Sequence, residues 1–232
     1  MNVPDRAAEL AANLADVQAR LATACHAAGR RRDAVTLVAV TKTWPASDAA
    51  SLRDLGVTDL AENRDQEARE KASAVQGVRW HFVGSVQTNK ARSVASYADV
   101  VHSVDRPALV HALAEGARRA ERRVDVLLQV SLDGDTSRGG AVPEALPALA
   151  DAVVAADGLR LGGVMAVAPL GAEPGPAFAR LAQIAALLRG EHPHATVISA
   201  GMSGDLEAAI TAGATHVRVG TALLGHRRPL LR

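Results

Sequence analysis

Apolar positions along the chain follow two periods. From about Asp5 to Ala28, Leu10, Leu14, Val17 and Leu21 recur at steps of three and four, which predicts an amphipathic helix ended by Gly29. Beyond it come eight short apolar, β-branched runs: Val35–Val40, Thr58–Ala61, Trp80–Val83, Val100–Val104, Val124–Leu132, Leu159–Val167, Ala195–Ser199 and His216–Val219. Stretches rich in Ala, Leu, Glu and Arg, the composition of helices, separate nearly every pair. Strands alternating with helices predict a parallel sheet. At 232 residues a closed barrel fits better than an open doubly wound sheet, since such barrels run to about 250 residues. No Gly-x-Gly-x-x-Gly follows the first strand, which weakens a dinucleotide-binding alternative. The expectation is an α/β fold, a single (β/α)8 TIM barrel domain over residues 1–232 with an extra N-terminal helix.

Composition narrows the partners. Aromatics are 2% of residues against 48% hydrophobic, so Ala, Val and Leu must fill the core. A net charge of +1 offers no global field for nucleic acid or membrane. The Arg-rich pieces "GRRRD", "RRAERR" and "GHRRPLLR" read as solvated helix ends or tails, with a local patch for RNA or an acidic partner as the other reading. A single cysteine, Cys25, excludes an internal disulfide and sits in a helical pattern as a buried thiol. The N-terminus lacks the pattern of a signal peptide, and no run reaches the roughly 18 apolar residues of a membrane span, so a cytoplasmic protein is expected.

A barrel carries its chemistry at the C-terminal ends of its strands, with phosphate often held after strands seven and eight. Those ends here are Thr41-Lys42-Thr43, Glu62-Asn63-Arg64, Gly84-Ser85, Met165 to Pro169, "SAGMSGD" and "RVGTALLG". In "SAGMSGDLEAAITAG", Ser203 is either only the N-cap of a helix running to Ala212, with Asp205 in its first turn, or part of an anion-holding turn. On the eighth strand Val217 and Val219 alternate with Arg218. If the valines face the helices, Arg218 points inward and needs an anion or a buried Asp partner. Gly220 and Thr221 follow with a close backbone approach and a hydroxyl. Two anion-friendly turns favour a phosphate site.

Strand one lies beside strand eight in a closed barrel, so Lys42 faces that site. A strand-end amine and a phosphate cradle suit a phosphorylated aldehyde or ketone, with pyridoxal phosphate and phosphosugars both qualifying. A salt-bridged lysine is the bland alternative. The eight histidines are scattered, with no His-Glu-x-x-His and no Gly-x-Ser-x-Gly, so neither a metal site nor a serine nucleophile is expected.

The pieces "LVAVTKTWP", "AENRDQEAREK", "WHFVGSVQTNK", "HSVDR", "LRLGGVMAVAP" and "GMSGDLEAAITAGATHVRVGTALLG" together resemble, in order and from about Leu37 to Arg227, the YggS/PROSC family of pyridoxal phosphate homeostasis proteins. The resemblance implies one barrel similar to the N-terminal domain of alanine racemase, with pyridoxal 5'-phosphate held as a Schiff base on Lys42. It further implies Asn63 beside the cofactor, Met165 beneath the ring, and Ser203, Gly220 and Thr221 as phosphate binders joined by Ser199. Arg218 matches the family arginine near the cofactor, meeting either the phosphate or the ring nitrogen. Ala61-Glu62-Asn63 departs from the usual Gly-Glu-Asn, and Leu223-Leu224-Gly225 from the usual Ile-Phe-Gly.

The resemblance also implies a role in vitamin B6 balance, buffering or delivering the cofactor rather than turning it over. Partners on that reading are pyridoxal phosphate, other B6 vitamers and apo-enzymes that use it, with the chain a monomer or weak homodimer. The alternative is an amino-acid racemase or a Schiff-base aldolase. A two-base racemase of related fold draws a tyrosine from an additional β domain, which this sequence is expected to lack. Its only tyrosine, Tyr97, precedes strand four, away from the rim.

Overall fold

A computed structural model describes residues 6–225. The expected helix start at Asp5 and the basic tail after Gly225 lie outside those residues. Helix α1 (Arg6–Ala27) precedes β1 (Thr36–Val40), α2 (Ala46–Asp54), β2 (Asp59–Glu62), α3 (Asp65–Ala74), β3 (Arg79–Phe82), α4 (Ala91–Tyr97) and β4 (Val100–Val104). Then follow α5 (Pro107–Arg119), β5 (Val124–Gln129), α6 (Leu146–Val154), β6 (Leu159–Met165), α7 (Pro174–Glu191), β7 (Val197–Ser199), α8 (Leu206–Thr211), β8 (His216–Val219) and α9 (Thr221–Leu224). The eight strands pair in parallel, and β1 pairs with β8 to close the barrel.

Strand alternation divides the core. Leu37, Ala39, Leu60, Trp80, Val217 and Val219 face outward and pack with the helices, while Val38, Val40 and Ala61 form an interior cluster with Val83. The departure Ala61 is thus part of the barrel filling. A second interior cluster joins Val100, Leu127 and Met165. Other interior positions are polar: Asp59, His81, His102, Ser199 and Arg218 are all buried.

Helix α1 buries Leu10, Leu14, Val17, Leu21, Ala24 and Cys25. It packs on α2, α8 and α9, covering a side where α8 has six residues and α9 only four. Polar contacts tie it down: Arg6 donates to Asp48 and to the Leu224 carbonyl, and Asn13 Nδ2 donates to the Leu223 carbonyl at 2.8 Å. Of the Arg-rich pieces, "GRRRD" is not merely solvated. Arg30 Nη1 caps the end of α8 through the carbonyls of Ile210 and Ala214 at 2.8 and 2.7 Å. In "RRAERR", Arg119 pairs with Glu115 and Arg122 with Asp99.

Three strand ends differ from the sequence pattern by two residues or more. Val130 to Leu132 do not extend β5, because Ala141 crosses them: Ala141 N–H donates to the Gln129 carbonyl at 2.8 Å and Ser131 N–H to the Ala141 carbonyl at 2.9 Å. Likewise β6 ends at Met165 and leaves Val167 exposed. Ala195 and Thr196 belong to a turn, their N–H groups donating to His192 and His194, so β7 starts at Val197.

One glycine is required by the barrel wall. Gly163 has φ +147°, and a Cβ there would sit 2.0 Å from the Val197 carbonyl oxygen, which is backbone and cannot yield. It lies where the β5–β6 register shifts. Gly163→Ala is therefore expected to destabilise the fold by on the order of 3 kcal/mol or more. Gly190→Ala, on α7 with open space around it, should instead stabilise by about 0.5–1 kcal/mol. Urea unfolding of the two variants checks the contrast.

Candidate functional site

A cavity of about 600 Å³ opens at the C-terminal mouth of the barrel. Of the residues singled out in the sequence, it brings together Lys42, Asn63, Met165, Ser203, Arg218, Gly220 and Thr221. Ser199 does not line it. That residue is fully buried below, where its hydroxyl accepts from Arg218 Nη1 at 2.6 Å.

Lys42 follows the tip of β1 and is exposed at the mouth, with no carboxylate in ion-pair distance among the described residues. The loop that carries it is held from below. Glu62 is fully buried; its Oε1 accepts from the Thr41 hydroxyl at 2.6 Å and from the buried Lys71 ammonium. Lys71 also donates to the Thr41 carbonyl at 2.8 Å. Burial pushes the Glu62 carboxyl up, and the bonds from Lys71 and Thr41 oppose that rise. On the other side of Lys42, Thr43 adopts φ +68°, a costly conformation for a β-branched residue. Its N–H donates to Glu67 at 3.1 Å, which helps hold it there. Trp44 takes the Arg6 guanidinium of α1 over its ring, 4.4 Å from the centroid.

The turn after β7 differs from a simple capped helix. Helix α8 begins at Leu206, and Asp205 occupies the cap position, its Oδ1 accepting from Met202 N–H. Ser203 is therefore not the N-cap; its Oγ accepts from Ala222 N–H at 3.3 Å, linking the turns after β7 and β8. The N–H groups of Ser203 and Gly204 meet no acceptor among the described residues. Gly201 is compelled by space, since a Cβ would come 2.6 Å from that of Ala209. Arg20 of α1 donates to the Ser203 carbonyl at 3.1 Å, which steadies this turn from outside.

Arg218 lies at the floor. As the alternation of Val217 and Val219 implies, it points inward and is 5% exposed. Its other donor, Nη2, reaches the Ala166 carbonyl at 2.9 Å. No described carboxylate pairs with it, so the expected buried Arg–Asp alternative does not hold. Burial lowers the guanidinium to about 10, opposed by the nearby charge of Asp205. Lys42 and Arg218 are the only titratable side chains among the described residues that line the cavity, and neither is acidic.

The residues present fit a phosphorylated aldehyde. An anion meets two cations and two unpaired N–H groups, an exposed amine stands at the rim, and the buried Asn63 Oδ1 lacks a partner. Close packing fixes Asn63: a Cβ on Gly84 would lie 2.1 Å from its carbonyl oxygen. Tyr97 is not in the cavity; its hydroxyl donates to Asp65 at 3.2 Å in the helical layer. Its phenol is pushed up, mainly by burial.

Sequence reasoning missed Trp44, Val83 and Met202 in the lining, and the Glu62–Lys71 pair beneath. A glutamate ending a fully buried strand was the available signal, because it demands a cation nearby. A depression of about 570 Å³ at the opposite end of the barrel is lined by Arg79, Arg123, Arg160, Asp99 and Asp125. Its carboxylates are already taken, Asp125 by Arg79 and Arg160 and Asp99 by Arg122. Among the described residues, no group of three or more His, Cys, Asp or Glu is placed to hold a metal ion. No described helix is long and apolar enough to cross a membrane.

Removing Lys71 leaves Glu62 as an uncompensated buried charge. Lys71→Met is expected to cost about 3–5 kcal/mol, and adding Glu62→Gln should recover most of that loss. Urea denaturation of the single and double variants measures both.

Residues 9–228 match the family model described as alanine racemase, N-terminal domain. The chain is 44% identical to the pyridoxal phosphate homeostasis protein of Mycobacterium tuberculosis, covering 97% of this chain and 95% of that one. The structure of PipY from Synechococcus elongatus, solved with PLP bound, superposes with a TM-score of 0.81 at 33% identity, covering 93% of this chain and all of that one. Alanine racemase from Corynebacterium glutamicum shares the fold at 16% identity, with a TM-score of 0.71 over 97% of this chain and 62% of its own. The chain belongs to the alanine racemase N-terminal-domain family and, within it, to the pyridoxal phosphate homeostasis proteins.

Proposed function

We propose that this chain binds pyridoxal 5'-phosphate as a Schiff base on Lys42, and that it buffers the cofactor and releases it to apo-enzymes rather than turning it over. The observation that carries this reading is the set of titratable groups in the cavity. A two-base racemisation needs a base on each face of the reacting carbon. Among the described lining residues only Lys42 has an amine to offer, and Arg218 keeps its charge at neutral pH. Lys71 is buried and committed to Glu62 and Thr41, and Tyr97 to Asp65.

The bound cofactor supplies an electron sink and an aldehyde; the protein decides what is done with them. Ser203, Gly204, Gly220 and Thr221 offer hydroxyls and backbone N–H groups for the phosphate, and Ser203 ties the two turns together. Arg218 supplies positive charge beneath, Asn63 a polar contact beside the ring, and Met165 an apolar one. Lys42 supplies the amine at a mouth that water reaches, which suits loading and release by hydrolysis. The names of its relatives support the same role, since they describe homeostasis and not catalysis.

Titration of the purified protein with pyridoxal phosphate should give a visible absorbance band that Lys42→Ala abolishes, with affinity falling at least tenfold, about 1.4 kcal/mol. The loaded protein should leave the optical rotation of an L-amino-acid panel unchanged and cleave no β-hydroxy amino acid. Sustained turnover of either kind overturns the carrier reading in favour of a racemase or an aldolase.

A further inference from the structure

Below the cavity, five side chains from five strands form one hydrogen-bonded file. Arg218 Nη1 on β8 donates to Ser199 Oγ on β7 at 2.6 Å. Ser199 Oγ lies 3.0 Å from His102 Nδ1 on β4. His102 Nε2 lies 2.8 Å from His81 Nδ1 on β3, and His81 Nε2 lies 2.8 Å from Asp59 Oδ1 on β2. His81, His102 and Ser199 are at most 2% exposed, so no solvent completes their bonding. The file starts at the first residue of β2 and ends at the floor of the cofactor site.

Donor and acceptor chemistry gives the file a direction. A guanidinium only donates and a carboxylate only accepts, so both ends are defined. His81 must donate from Nε2 to Asp59. With both imidazoles neutral, His81 Nδ1 is then a lone pair, and His102 must donate to it from Nε2. His102 Nδ1 is left to accept the Ser199 hydroxyl, whose oxygen accepts from Arg218. A single arrangement satisfies every one of these contacts.

A proton added to His81 forces the upper half to reverse. His81 Nδ1 becomes a donor, so His102 Nε2 must accept. Full burial, with the charges of His81 and Arg218 adding to it, keeps His102 neutral. Its one hydrogen therefore moves to Nδ1 and points at Ser199. Ser199 Oγ then accepts from both neighbours, and its own hydrogen has to leave the file.

We propose that Asp59, His81, His102 and Ser199 are a positioning relay that orients Arg218 and reports the protonation of His81 to the cofactor site through the tautomer of His102. None of the four lines the cavity. The surroundings are charged on several sides. Asp59 on β2 is held below the ordinary carboxylate value: burial works against ionisation, and bonds from His81 and Thr58 outweigh it. Arg79 on β3 adds positive charge and is itself paired with Asp125 on β5. Arg160 on β6 shares that carboxylate. His216 on β8 lies 6.3 Å from His81, ring to ring, and is lowered to about 4, chiefly by burial. It therefore stays neutral across the range in which an ordinary imidazole titrates, roughly pH 5 to 8.

The inference rests on the reading that Arg218 lies beneath bound pyridoxal phosphate, but the relay is testable without any ligand. Two-bond proton–nitrogen correlation spectra of the ligand-free, nitrogen-15-labelled chain report each histidine tautomer. From about pH 9 down to about pH 5, His81 and His102 should both begin as Nε2–H forms. As His81 takes up a proton, His102 should convert to Nδ1–H with the same midpoint. In Asp59→Asn, which keeps an acceptor and removes the anion, the conversion should move to lower pH. An Nδ1–H form of His102 at the alkaline end, a His102 tautomer indifferent to His81, or a His81 that stays neutral throughout would each overturn the relay. If Asp59→Asn does not fold, the wild-type tautomers decide alone. With pyridoxal phosphate added, the absorbance band should step at the same midpoint, and a band that does not step refutes the link to the site. Failure of the cofactor to bind at all counts against the proposed function and leaves the tautomer result standing.

Discussion

A positive charge buried inside the barrel without a carboxylate sets the terms for everything around it. Desolvating a guanidinium costs several kcal/mol, and hydrogen bonds from a charged group return about 1.5–3 kcal/mol each. Arg218 has two to neutral acceptors, Ser199 and the Ala166 carbonyl. Those offset part of the cost and leave the site favourable to an anion. The absence of acidic side chains from the described cavity lining follows the same logic, since a carboxylate there would neutralise that charge. Below, the charge is met by polar groups that can adapt, which is why histidines and a serine replace aliphatic filling in the lower barrel.

The N-terminal helix belongs to the site as much as to the fold. Helices α8 and α9 are too short to brace the turns that precede them. Helix α1 does so from outside: Arg20 on the Ser203 carbonyl, Asn13 on the Leu223 carbonyl, and Arg6 on both Leu224 and the Trp44 ring. One helix thus steadies the lysine loop and the turns after β7 and β8. The Glu62–Lys71–Thr41 cluster steadies the same loop from beneath. Two independent supports hold the strained Thr43 next to Lys42.

The barrel was legible in the sequence because each strand is a short apolar run and each crossover a polar helix. The inward aim of Arg218 followed from two flanking valines. What stayed illegible depended on contacts between distant segments. Ala141 stops β5, and no local pattern around Val130 announces it. Ser203 had the residue type of an N-cap, yet Asp205 takes the position because its carboxylate reaches back to Met202. Ser199 was grouped with the phosphate binders, and it lies one layer lower. The histidines looked scattered in sequence. Closing the barrel places His81 and His102 edge to edge, with ring centroids 5.1 Å apart.

The proposed function requires Lys42, just beyond β1, to hold the aldehyde over the buried Arg218. Loading the protein with pyridoxal phosphate, reducing with borohydride and mapping the peptides by mass spectrometry tests it most directly. One phosphopyridoxyl adduct per chain, on Lys42, is expected. An adduct on Lys71 or Lys90 with Lys42 unmodified, or no stable adduct at saturating cofactor, would contradict it.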